Sequence, residues 1–107
     1  MTAPTAALLP TPFQLHVPDE PVPGRHRWYA MALAGVPLDE VLLGDGGVAG
    51  WLWERWRVLE RAGCTEEHFT ALVRGYRREL WLWLAGERAW DHCCSELIGR
   101  IARRVSA

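Results

Sequence analysis

From Gly24 onward the chain alternates apolar and polar residues at helical spacing. Trp28, Tyr29, Ala32, Leu33 and Val36 recur three and four apart, which predicts a short helix over 25–34 stopped by Gly35. Pro37 suits the opening of a second short helix, Leu38 to Leu43, closed by Gly44. Asp45-Gly46-Gly47 reads as a loop. Val48, Leu52, Trp56 and Leu59 mark one face of a third helix, with Trp51 beside them, running to Ala62 and ended by Gly63. Thr65 then caps a fourth, with Glu66 and Glu67 in the first turn where the helix dipole favours them.

The last forty residues carry the longest pattern. Phe69, Val73, Tyr76, Leu80 and Trp83 step by four and three, and Trp90, Cys94, Leu97 and Ile101 repeat the steps in phase beyond Gly86. A single helix over 66–105 would satisfy this seam, but it would place ionised Glu87 on the apolar face and a glycine mid-helix. The pattern is therefore read as a hairpin broken at Gly86-Glu87. The run from Leu80 to Leu84 also fits a buried strand, but its place inside a longer helical pattern favours helix.

Residues 1–23 hold six of the seven prolines, a spacing that disfavours helix and central strand alike. They predict an extended arm, either a leader or a segment packed through Leu8, Leu9, Phe13, Leu15 and Val17. The expected architecture is thus all-α: about five helices in a small bundle over 24–107, the last two a hairpin, behind an arm over 1–23 whose first twenty residues are dispensable for folding.

Composition narrows the function more than it identifies it. The net charge is −1, which excludes a globally basic nucleic-acid binder. All twelve basic residues are Arg, as GC-rich coding favours. No uninterrupted apolar stretch is long enough to span a bilayer, and Met1 to Pro12 lacks the basic-then-apolar order of a secretory leader. Three cysteines, an odd number, fit reduced thiols and a cytoplasmic location. Seven tryptophans in 107 residues exceed what so small a core is expected to bury, which predicts exposed indole and a homo-oligomer.

Four candidate chemistries follow. The spacing of Ala30, Ala34, Gly35, Val36 and Val41 resembles a helix-turn-helix, but the second helix would offer Leu38, Asp39, Glu40, Leu42 and Leu43 to DNA, an acidic and apolar surface. Cys64 with His68, and His92 with Cys93, are weak metal-ligand candidates because their spacing matches no zinc pattern and adjacent helix positions diverge. The same Cys/His pairs could serve nucleophilic catalysis, yet no orienting Asp or Asn accompanies them. No cofactor motif is present. Finally, Arg74, Arg77, Arg78 and Trp81, with Arg88 beyond them, form one Arg/Trp stripe, and Trp53 and Arg57 form another on the preceding helix. Such stripes suit an acidic protein partner or a nucleic-acid strand, or else are arginine stems lying over a Trp-rich core. The expected function is a non-enzymatic interaction or regulatory module that self-associates. A nucleic-acid binder is the alternative, and a small metal-binding or catalytic protein comes third.

Overall fold

A computed structural model describes residues 15–106. These residues form six α-helices and one 3-10 segment, and none is in a strand. The helices are α1 (Val22–Leu33), α2 (Leu38–Leu43), α3 (Val48–Arg55), α4 (Glu66–Gly75), α5 (Arg77–Leu84) and α6 (Trp90–Ser106), with the 3-10 turn Arg57–Ala62 between α3 and α4. The all-α expectation holds, and the count rises from five because the predicted fourth helix is two.

The hairpin break falls where the sequence placed it. α5 stops at Leu84, Gly86 adopts φ +83°, and two reversed bonds close the end: Gly86 N–H to Trp83 O and Glu87 N–H to Leu82 O. That left-handed conformation costs a side-chain-bearing residue roughly 1–2 kcal/mol and glycine nothing. The same closure recurs at Gly35 and Gly63. At the start of α4, Thr65 Oγ1 accepts from the His68 N–H at 3.1 Å, as expected of a cap.

Three boundaries differ from the sequence reading. α1 begins at Val22, inside the arm, because Pro23 occupies the first turn, where a missing N–H breaks no intrahelical bond. The third predicted helix ends at Arg55 and continues as the 3-10 turn. The fourth is interrupted at Tyr76, with φ −110° and ψ 14°, directly after the poor helix former Gly75.

The core runs through all six helices and contains no buried charged residue among those described. Five of the seven tryptophans are buried: Trp28, Trp53, Trp56, Trp83 and Trp90. Trp83 is the hub, with its ring centroid 4.6 Å from Trp90 and 6.2 Å from Trp28. Its indole nitrogen has no hydrogen-bond partner among the described residues, so packing rather than a hydrogen bond holds it there. The small bundle thus buries more indole than its size suggested, and crowding no longer supplies a reason for self-association.

Part of that burial comes from the arm. Leu15–Glu20 lies across the bundle outside any helix and turns at Pro21 into α1, and two buried indoles donate to its backbone: Trp56 Nε1 to His16 O at 3.0 Å and Trp90 Nε1 to Pro18 O at 2.8 Å. Leu15 packs against the core, Pro21 is buried, and Glu20 pairs with Arg25 at 2.8 Å. The segment is a strap supplying acceptors to buried donors, at odds with the expectation that residues 1–20 are dispensable. Val17 is exposed, while Leu8, Leu9 and Phe13 lie outside the described residues.

Candidate functional site

Arginine lies over aromatic rings throughout the surface. Arg25 sits over Trp83, Arg27 over Trp28, Arg55 over Trp51, Arg57 over Trp53 and Arg100 over Tyr76, at 4.0 to 6.0 Å from the ring centroids. These guanidiniums extend the apolar interior outward along their stems. The second predicted stripe belongs to this class. Trp53 is buried beside Phe69, and Arg57 is held by Glu54 and Glu60 at 3.3 and 2.8 Å. Its place in the 3-10 turn takes it off the α-helical register that the stripe assumed.

The first stripe behaves differently. Trp81 is half-buried, has no arginine over it among the described residues, and packs against Tyr29 of α1 with centroids 5.8 Å apart. The two helices run antiparallel: Arg25 reaches Trp83 and the Gly86 turn, while Tyr29 meets Trp81 farther back along α5. One turn beyond Tyr29, Leu33 has 65% of its surface exposed, and the antiparallel run carries α1 toward the end of α5 that holds Arg77 and Arg78. Arg77 and Arg78 precede Trp81 by four and three residues and so share its side of the helix. Arg74, across the break at Tyr76, and Arg77 both flank Asp39 of α2, at 4.0 and 3.7 Å. Arg78 is exposed and makes no ion pair among the described residues. The face therefore joins an apolar centre (Leu33, Tyr29, Trp81) to a basic rim already half neutralised by one carboxylate. The sequence reading used Tyr29 and Leu33 only as part of the apolar spacing that marks a helix. Their repeat distance of four was visible, but not the side of α1 that turns outward.

Arg88 lies away from this face, in a polar cluster over α6. It approaches Glu96 at 3.6 Å, as does His92 at 3.4 Å, and the buried Tyr76 donates its hydroxyl to the same carboxylate at 2.5 Å. That hydroxyl hydrogen bond, aided by His92, Arg88 and Arg100, holds Glu96 below the usual carboxylate range. Burial, then the Glu96 bond, pushes the Tyr76 phenol well above its ordinary value. At neutral pH the phenol is protonated and the carboxylate ionised, an arrangement that fastens the α4–α5 junction to α6 and offers no proton near neutrality.

The helix-turn-helix resemblance leads to a core corner. Val41 and Leu42 are buried, and Asp39 faces the arginines of α4 and α5. The Cys/His candidates are scattered. Cys64 and His68 line a hollow of about 300 Å³ with Arg104, whereas His92 faces Glu96 and Cys93 is buried against Glu79 O at 3.6 Å. Among the described residues no three His, Cys, Asp or Glu side chains gather as a metal site. Desolvation raises all three thiols, Cys93 to about 11 and Cys94 to about 12, so none is poised as a thiolate nucleophile. No helix among the described residues is long and apolar enough to cross a membrane.

Comparison with protein-family models, curated proteins and solved structures finds no match.

Proposed function

We propose that this chain is a non-enzymatic interaction module. It binds a protein partner through the α1/α5 face formed by Tyr29, Leu33 and Trp81, with Arg74, Arg77 and Arg78 as its basic rim. The observation that carries the reading is the Trp81–Tyr29 pair: both rings are half-buried, neither has a guanidinium over it among the described residues, and Leu33, one turn along α1 from Tyr29, is 65% exposed. Aromatic and arginine side chains are the residues most enriched at binding hot spots. The complementary partner presents an apolar centre flanked by carboxylates. The charge pattern favours protein over nucleic acid, because Asp39 lies between Arg74 and Arg77 and would repel a phosphate there.

The test compares native host proteins recovered on the wild-type chain with those recovered on Trp81→Ser/Arg78→Glu and on a control, Glu67→Arg, in the exposed first turn of α4. Loss of a hot-spot aromatic and its neighbouring charge should cost about 2 kcal/mol or more, roughly 30-fold in affinity. A partner retained by the control and lost by the double variant supports the proposal. Equal recovery on all three overturns it. Sedimentation of the purified chain separates a second copy from a different protein, and a steep loss of binding with salt would indicate nucleic acid.

A further inference from the structure

A second surface, sharing no residue with the α1/α5 face, lies between the start of α1 and α3. It is an open groove of about 680 Å³, walled by Pro21 and Pro23 on one side and by Trp51 and Arg55 on the other, with Gly46 and Gly50 along its floor. Roughly 300–1,000 Å³ is the usual range of ligand sites. Arg27 and Trp28, which also line the groove, both donate from their side chains to Gly46 O at 2.8 Å, tying the loop before α3 to α1. Arg55 lies over the Trp51 ring at 4.0 Å and donates to Trp51 O, which holds that wall in place.

Two observations indicate what the groove takes. Gly50 stands inside α3, where glycine weakens a helix, yet a Cβ there would meet nothing within 4 Å. Packing does not require glycine at this position, and its effect is to leave the floor bare for a close-lying backbone. The strap supplies the second. His16–Glu20 is a non-helical segment carrying proline and acid that turns at Pro21 into α1, held by indole donors to His16 O and Pro18 O and by Arg25 on Glu20. The groove continues this track, with Pro21 as its wall and Arg55 bordering both the groove and the hollow beside Leu15 and Pro18. It offers the same recognition groups: the half-exposed Trp51, whose indole has no hydrogen-bond partner among the described residues, and two guanidiniums, Arg27 and Arg55, against the single carboxylate of Glu54.

We infer that the α1/α3 groove binds an extended, proline-rich acidic peptide from a partner protein, laid beside the strap with its backbone over Gly50 and its carbonyls toward the Trp51 indole. Such a segment is already extended when free, so little order is lost on docking. The site stands independently of the α1/α5 proposal.

The test titrates the isotope-labelled full chain with a capped synthetic peptide of the sequence of residues 15–23, following amide and indole resonances. The groove predicts that the largest shifts fall on the Trp51 indole and on the Gly46, Gly47 and Gly50 amides. Replacing the three prolines of the peptide by alanine should weaken binding at least tenfold. Gly50→Leu, whose side chain would fill the floor, should also weaken it at least tenfold while leaving the melting temperature no lower than wild type. Shifts confined to the Trp56 and Trp90 indoles would mean that the peptide only displaces the strap, and would overturn the inference. So would unchanged affinity in a folded Gly50→Leu chain, or no shift at millimolar peptide. If Gly50→Leu does not fold, the shift pattern in the wild-type chain decides alone.

Discussion

Replacing Trp90 by Phe isolates how the strap is held. The wild-type indole donates to Pro18 O at 2.8 Å and packs 4.6 Å from Trp83. Phenyl keeps most of the ring contact but loses the donor, and a net hydrogen bond of this kind contributes about 1 kcal/mol. The lost ring volume leaves a hole of roughly 40 Å³, worth about 1 kcal/mol more at the usual cost of core cavities. Trp90→Phe should therefore destabilise the full chain by about 2 kcal/mol, lowering the melting temperature by roughly 10 °C for a domain of this size. In a chain lacking residues 1–20 the acceptor is gone, and the same substitution should cost only the cavity, about 1 kcal/mol. The difference, read by urea unfolding of the four chains of a double-mutant cycle, is the coupling between indole and strap. Truncation alone should cost about 1–2 kcal/mol, since two indole bonds and the burial of Leu15 are partly offset by the entropy of the released residues. Equal costs of Trp90→Phe in both backgrounds, or a truncated chain as stable as the full one, would refute the strap.

Three further outcomes follow from the geometry. Glu96 has a folded-state pKa below its ordinary value of 4.5, so its contribution to stability is present above that value and lost as pH falls below it; Glu96→Gln should be less stable at pH 7 and lose less between pH 5 and 3 in urea melts. The thiols run the other way: Cys93 and Cys94 are raised from 9.0 to about 11 and about 12, so their contribution is complete below pH 9 and lost as pH rises toward 12. A thiol-reactive disulfide at pH 8 should accordingly leave both unmodified in the native chain and label all three cysteines in denaturant. Gly86→Ala must adopt φ +83° and approach Arg25 Nη2 at 3.3 Å, so it should cost about 1–2 kcal/mol by thermal melting.

Much of the fold was legible because its signals are local. Thr65 with two glutamates behind it, and Gly35, Gly63 and Gly86 at the ends of apolar runs, state where helices start and stop. The break at Tyr76 was hidden because the apolar phase survives it: Val73, Tyr76 and Leu80 stay on the inner face on both sides. The strap was hidden for a different reason. Its bonds use backbone carbonyls of His16 and Pro18, which every sequence has, and the donors are tryptophans forty and seventy-two residues away. The candidate surface was half legible. Spacing brought Arg77, Arg78 and Trp81 together, while Tyr29 joined Trp81 only through the antiparallel packing of α1 on α5. At Trp53 the two readings of a stripe could not be told apart in sequence, because an arginine four residues after a tryptophan reads the same whether the ring lies on the surface or beneath it; the ring lies beneath.

Site-specific cross-linking in the native host tests the central proposal most directly. A photo-reactive phenylalanine replaces Trp81 in one chain and Glu67 in another, and adducts are compared after irradiation. A discrete protein adduct from position 81, absent from position 67 and abolished by adding Arg78→Glu, is the predicted result. No adduct at position 81, or the same adducts from both positions, would contradict a binding face between α1 and α5.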